Sequence, residues 1–380
     1  MKKIDFIYFD AGGGHRAAAM ALKSVIDSQK RSTHNQPWEI RLVNLQEVLD
    51  TLDVFRKVTG IRLEDIYNKM LAKGWTLGST QGLQFMHGVI RLYHGPTVRL
   101  LTRHWKDAQP DLVVSLVPNF NRALYQSLRS ALPKVPYVTV LTDFADYLPH
   151  FWMEPGQDQF FICGTEKAVE QARSLGHTHD RIFTTSGMIL RPRFYEPVAL
   201  DRERERTRLG LDPSRPTGLV LFGGQGSKVM LEISRRLTDT QLIFICGRNA
   251  KLAERLKALP VHAPRLIEGF TQEVPYYMQL SDFFIGKPGP GSISEAVAMK
   301  LPVIVERNAW TLPQERYNAE WVRERHAGMV VPNFRGIAAA VKELLASLDS
   351  YRESVSRIQN RAVFEIPEIL ATILEKTATL

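Results

Sequence analysis

Short apolar runs bounded by glycine, proline, asparagine or aspartate alternate along this chain with stretches in which apolar residues recur every three or four positions. The first pattern predicts buried strands and the second amphipathic helices. Ile4 to Phe9 reads as a strand, followed by a glycine turn and a helix from about His15 to Gln29. Glu39–Val43 reads as strand and Asn44–Lys57 as helix. Four further runs predict strands: Asp111–Leu116, Tyr137–Leu141, Gln159–Cys163 and Arg181–Thr185. The pattern then lapses between Gly187 and Arg215, where prolines stand at 192, 197 and 213 and arginines at 202, 204, 206 and 208. It restarts with strands Gly218–Phe222, Gln241–Cys246, Arg265–Glu268, Ser281–Ile285 and Pro302–Val305, with helical spacing at Asn249–Leu259, Ile293–Met299 and Gln314–His326. Strand–helix alternation predicts parallel sheet, and its restart predicts two doubly wound Rossmann-like α/β domains facing a cleft. The expected division is 1–187, a linker 188–215 carrying a charged helix, 216–350, and a helical segment 351–380 that packs back on the first domain.

Two glycine turns follow strand ends in the second half. One is Gly223-Gly224-Gln225-Gly226-Ser227 and the other Gly286-Lys287-Pro288-Gly289-Pro290-Gly291-Ser292. Glycine admits close approach of backbone amides to a ligand, and a new helix presents its positive end to an anion. Glu295, one turn into the second helix, suits a pair of sugar hydroxyls. A phosphate cradle beside a hydroxyl reader points to a nucleotide diphosphate. Neither turn is a true G-x-G-x-x-G, and neither ends in G-K-[ST], so a dehydrogenase or P-loop kinase is not supported. The alternative for Gly223–Gly226 is a tight turn with no ligand, but a second glycine turn in the same domain favours binding.

Composition refines this picture in three respects. At 380 residues, 44% hydrophobic and 23% charged, the chain is long enough for two cores. Its net charge of +9 favours an anionic partner without choosing among nucleic acid, nucleotide and membrane surface. No run approaches the ~18 apolar residues needed to cross a bilayer. Asp5 and Asp10 interrupt the apolar start, which therefore reads as a first strand and not as a signal peptide. Cys163 and Cys246, far apart in sequence, read as buried reduced thiols of a cytoplasmic protein.

An ordered set of motifs carries a resemblance. Ala11-Gly12-Gly13-Gly14-His15-Arg16, Thr185-Ser186-Gly187-Met188-Ile189-Leu190-Arg191-Pro192, Cys246-Gly247-Arg248-Asn249, Glu268-Gly269-Phe270 and Gly289-Pro290-Gly291-Ser292-Ile293-Ser294-Glu295-Ala296 occur in that order. Together they resemble the monogalactosyldiacylglycerol synthases and the processive diacylglycerol glucosyltransferases. Leu312-Pro313-Gln314-Glu315-Arg316 also looks like the sugar-reading turn of the more distant lipid-linked N-acetylglucosamine transferase of peptidoglycan synthesis. The resemblance implies a GT-B fold, with the donor held mainly by the C-terminal domain and the acceptor by the N-terminal one. It also implies inversion at the anomeric carbon without an essential metal, and no D-x-D motif occurs in the chain. No cofactor is expected; UDP-galactose or UDP-glucose is the donor substrate and diacylglycerol the acceptor.

The expected roles follow residue by residue. His15, after its glycines, is placed as general base by the resemblance, and an unperturbed imidazole suits that task near neutral pH; alone it would also suit an exposed helix start. Asp143, in Thr142-Asp143-Phe144-Ala145-Asp146, either orients His15 or is itself the base. For the donor, Gly14, Arg191, Gly223, Gly224, Gly226, Ser227, Gly289, Pro290, Gly291 and Ser292 are expected around the diphosphate, with Arg191 reaching it from the linker. Phe270 and Thr271 are expected to hold the uracil, Glu295 the ribose, and Gln314 and Glu315 the hexose. The Tyr147–Trp152 stretch departs from the family spacing, so His150 and Trp152 are not among the expected site residues. Val117 stands where the family commonly carries histidine.

From Tyr67 to Lys106 there is no Asp or Glu, while lysines, arginines and aromatic residues interleave. Trp75, Arg91, Tyr93, Arg99, Arg103 and Trp105 are therefore expected to face anionic lipids on the inner face of the cell membrane, where the acceptor resides. No nucleic-acid module accompanies this basic segment. The alternatives are N-acetylglucosamine transfer to a polyprenyl-linked acceptor, or UDP-sugar epimerisation or hydrolysis on the same fold.

Overall fold

The apolar runs become the strands of two separate sheets. A computed structural model of the chain describes residues 1–10, 14–33, 36–49, 93–147, 150–196 and 200–378. They divide into two units: one takes in the chain up to Pro192 together with the segment from Asn360, the other Arg193–Gln359.

The first unit holds strands β1 (Lys2–Tyr8), β2 (Ser32–Thr33), β3 (Gln36–Asn44), β4 (Leu112–Ser115), β5 (Tyr137–Val140), β6 (Phe160–Cys163) and β7 (Ile182–Thr184). Their order is β2-β3-β1-β4-β5-β6-β7, and only the β2–β3 pairing is antiparallel. Every position of β4, β5 and β6 is buried. That explains continuous apolar runs where a one-sided sheet would show alternation. The helices are α1 (Gly14–Ser28), α2 (Leu45–Leu49), α3 (His94–Ala108), α4 (Asn121–Ala131) and α5 (Glu166–Ser174).

Helix α3 corrects one sequence expectation. Thr97, Leu101 and Trp105, spaced by four, form its buried face. Trp105 is 0% exposed, packs among Leu101, Leu124, Leu128 and Tyr137, and donates its indole N–H to Ser127 Oγ at 2.8 Å. It is a core residue and no part of a membrane face. Arg99 and Arg103 point outward from the same helix and Tyr93 precedes it, half-buried. Trp75 and Arg91 lie outside the described residues.

The second unit holds β8 (Thr217–Leu221), β9 (Gln241–Ile245), β10 (Arg265–Glu268), β11 (Phe283–Gly286), β12 (Val303–Glu306) and β13 (Gly328–Val331), all parallel, in the order β10-β9-β8-β11-β12-β13. Its helices are α6 (Arg202–Arg208), α7 (Val229–Arg236), α8 (Ala250–Lys257), α9 (Val274–Gln279), α10 (Pro290–Ala298), α11 (Arg316–Glu324), α12 (Ile337–Ala346) and α13 (Leu348–Arg357).

Of the expected linker 188–215, residues 200–215 are docked into this unit. Arg206 of α6 is only 4% exposed. Its guanidinium reaches Asp282 Oδ2 at 2.6 Å and the carbonyls of Leu280, Pro213 and Arg215. Arg202 and Arg352 also pair with Asp282, whose Oδ2 accepts the Thr217 N–H. The charged run is therefore an ion-paired clamp at the entrance of β8 and β11.

The expected helical segment 351–380 divides as well: α13 stays with the second unit, and α14 (Ala362–Ala378) packs on α1 and β2 of the first. Ser186 and Gly187 hold this return. Glu365 accepts from the Ser186 N–H at 2.7 Å and its hydroxyl at 2.8 Å, and the Arg361 N–H donates to Ser186 Oγ. A Cβ on Gly187 would lie 2.7 Å from the Asn360 side chain. The Thr185-Ser186-Gly187 motif thus seats the final helix.

Candidate active site

In the first unit, strand order reverses between β1 and β4, and open α/β sheets place ligands outside the carboxyl ends of strands at such a point. His15 stands there, in the first turn of α1. Its Nδ1 lies 3.1 Å from Thr142 Oγ1, just beyond β5, and the Leu116 carbonyl, just beyond β4, accepts from its ring. The ring lies 5.9 Å from that of Trp152. Burial pushes the imidazolium pKa down to about 4, against a smaller upward pull from the Leu116 carbonyl. The ring is therefore neutral at pH 7, and a nitrogen lone pair remains to take a proton.

Asp143 stands one residue past Thr142, and its Oδ2 accepts from Trp152 Nε1 at 2.9 Å. Asp146 shapes the loop that delivers this indole: its Oδ1 accepts from the Tyr147 N–H at 2.9 Å and the Trp152 N–H at 2.7 Å. Burial raises the Asp146 pKa to about 6 although these amides pull it down. Asn121 closes the loop from below, donating to the carbonyls of Val117 and Trp152. Thr142 and Trp152 were missed as site residues. Trp152 was set aside on spacing, and spacing does not register a loop that folds back on one carboxylate.

In the second unit the reversal falls between β8 and β11, and both glycine turns flank it. The turn after β8 is locked to the turn after β9. The Arg248 N–H donates to Gly224 O at 2.9 Å, and Asn249 Nδ2 reaches Gln225 O. Gly223, Gly226 and Gly247 all have positive φ. A Cβ on Gly247 would lie 2.2 Å from Gly224 O. The Cys246-Gly247-Arg248-Asn249 motif thus buttresses the first cradle. Ser227 Oγ accepts from the Val229 N–H and keeps its own hydroxyl hydrogen to donate.

Beyond β11, Gly289 caps α10 in an extended conformation, with Pro290 in its first turn. Gly291 is exposed, while Ser292 and Glu295 are half-buried on the same helix. Phe270, beyond β10, is 54% exposed, with the Arg248 guanidinium 4.9 Å over its ring. Thr271 Oγ1 accepts from the Glu273 N–H, a local turn that starts α9. Beyond β12 the chain makes a 3-10 turn, Pro313–Glu315. Gln314 Oε1 is buried without a hydrogen-bond partner among the described residues, and Glu315 is 7% exposed. The expected donor residues from 223 to 315 thus all follow carboxyl ends of strands on one edge of one sheet. Gly14 opens α1 and Arg191 stands half-buried near the end of the first unit's main segment, so neither belongs to that edge.

Comparison with known proteins fits this geometry. The family model for monogalactosyldiacylglycerol (MGDG) synthase matches residues 15–188. Probable monogalactosyldiacylglycerol synthase 2, chloroplastic, of Oryza sativa subsp. japonica is 27% identical over all of this chain and 82% of its own. Monogalactosyldiacylglycerol synthase 1, chloroplastic, of Arabidopsis thaliana is 26% identical over all of this chain and 72% of its own. The chain is a relative of the monogalactosyldiacylglycerol synthases. Among solved structures, Acinetobacter baumannii MurG superposes with a TM-score of 0.64 at 11% identity, covering 97% of this chain and 99% of MurG. That likeness shows the GT-B fold, and with these synthase relatives the chain is a glycosyltransferase. In this relative of the synthases, the family match begins at His15 itself and takes in Thr142, Asp143 and Trp152.

Proposed function

We propose that this glycosyltransferase moves galactose from UDP-galactose to diacylglycerol at a membrane surface, with inversion and with no cofactor beyond the donor substrate. The observation that carries the reading is His15: a neutral, half-buried imidazole at the strand-order reversal of a chain related along its whole length to MGDG synthases. The relatives' names favour galactose over glucose. In the proposed reaction His15 takes the proton of the diacylglycerol hydroxyl as that oxygen attacks the anomeric carbon. The bond to UDP breaks on the opposite side, so an α-linked donor yields a β-galactoside. Asp143, held by Trp152, follows Thr142, whose hydroxyl orients the His15 ring.

In the second unit, backbone amides of Gly223, Gly224 and Gly226, the Ser227 hydroxyl and the start of α10 at Gly289–Ser292 receive the departing diphosphate. Phe270 and Thr271 take the uracil, Glu295 the ribose, and Gln314 and Glu315 the hexose. The buried, unpartnered Gln314 Oε1 supports its share of that role. Diacylglycerol resides in a bilayer, and among the described residues no helix is long and apolar enough to cross one. Arg99 and Arg103 on α3 therefore meet anionic headgroups from outside.

The test is incubation with labelled UDP-galactose, UDP-glucose or UDP-N-acetylglucosamine and vesicles that contain both diacylglycerol and a polyprenyl phosphate acceptor, with the lipid products separated. Label in a galactosyl diacylglycerol is the expected result. Label only in free sugar would instead identify a hydrolase, and label carried only on a polyprenyl phosphate acceptor the N-acetylglucosamine reading.

A further inference from the structure

Two cross-links join the turn after β12 to the glycine turn after β11. Lys287 Nζ donates to Glu315 Oε1 at 2.8 Å, and Asn318 Nδ2 donates to the Pro288 carbonyl at 2.8 Å. Asn318 is fully buried, and the Glu315 side chain is only 10% exposed against 41% for Lys287. A Cβ built on Gly289 would stand 3.7 Å from both Lys287 Nζ and Glu315 Oε1. Lysine, carboxylate and open glycine backbone therefore converge on one small space at the mouth of β11. A nearly buried carboxylate needs a counter-charge and a fixed direction, and Lys287 gives Glu315 both.

We infer that Lys287 is a positioning residue for hexose recognition, acting through Glu315, with Asn318 fixing the register of the two turns. This rests on the proposed reading of Glu315 as a hexose-binding group. In the sequence Lys287 precedes Gly289 and Gly291, where a P-loop lysine would follow its glycines. In the fold that placement puts its ammonium at the strand end, facing the sugar-side turn and not following the phosphate cradle into α10.

The consequence is a specific coupling. Removing a lysine charge also lowers the general attraction for any anionic nucleotide, so the informative quantity is the dissociation constant for UDP divided by that for UDP-galactose, which isolates the sugar's own share. That ratio should fall about tenfold in Lys287→Met, the weight of one charged hydrogen bond. It should fall similarly in Glu315→Gln, and no further in the double variant, because groups acting as a unit are not additive. Lys287→Arg should recover most of the loss. Calorimetric titration of UDP and UDP-galactose into the full-length protein measures all four variants. An unchanged ratio in Lys287→Met, or a double variant in which the two losses multiply, would overturn the inference while leaving the proposed function intact. An unchanged ratio in Glu315→Gln would instead remove the hexose role on which it rests. Failure of the wild-type protein to bind UDP at all would remove the proposed function itself.

Discussion

His15 is built to stay uncharged. Its ring packs toward Trp152 and against the segments that follow β4 and β5, and burial holds its pKa near 4. Carbon NMR of the imidazole should therefore show no titration between pH 7.5 and 5.5, and a midpoint near pH 6.5 would contradict the burial argument. The linkage has a definite sign. The unfolded chain takes up the proton first, so His15's contribution to stability is complete above about pH 6.5 and is lost as pH falls toward 4. His15→Ala should lower turnover about 10²–10⁴-fold, the usual weight of a positioned base, while leaving UDP-galactose affinity within about twofold of the wild-type value. A large loss of donor affinity with turnover retained would move His15 out of the base role. The sequence showed His15 and Asp143 because each follows a strand end in a family motif. It could not show Thr142 at the imidazole or Trp152 on the carboxylate, since both depend on how the 142–152 loop closes around Asp146.

Among the elements, the paired turns after β8 and β9 and the arginine clamp at α6 make separable predictions. Gly247→Ala places a methyl within 2.2 Å of Gly224 O at a positive φ and should reduce UDP affinity tenfold or more. Gly210→Ala shares the positive φ but has open space around it. It should cost about 1–2 kcal/mol of stability without changing UDP affinity, so equal effects on binding would contradict the role given to the Gly224–Gly247 contact. Asp282→Ala leaves the buried Arg206 without its carboxylate and should destabilise the protein by about 3–5 kcal/mol in denaturant titration. A loss below about 1 kcal/mol would show that the clamp is incidental. On α3, replacing Arg99 and Arg103 with glutamate should reduce flotation with anionic vesicles, and binding that survives this change would place the membrane contact elsewhere. Periodicity located these elements well but misread what covers them. An arginine-rich helix looks like linker until a single aspartate at the next strand's entrance gathers three guanidiniums. Trp105 looks like an interfacial aromatic until its four-residue spacing with Leu101 and Thr97 is seen to face the core.

At the scale of the whole chain, two doubly wound sheets were legible because each strand run is bounded by turn residues and each crossover has helical spacing. The edge strand β13 was not, because Gly328–Val331 is short and opens on a glycine. The return of α14 to the first unit was expected in outline, while its anchors Ser186, Asn360 and Glu365 emerge only in three dimensions. Under the proposed function, a single displacement of UDP by the acceptor hydroxyl inverts the anomeric carbon. The decisive measurement is therefore the proton NMR spectrum of the galactolipid made by the wild-type protein from UDP-galactose and diacylglycerol. The account predicts the large anomeric coupling of a β-galactoside. An α-linked product, or galactose released only to water, would contradict it.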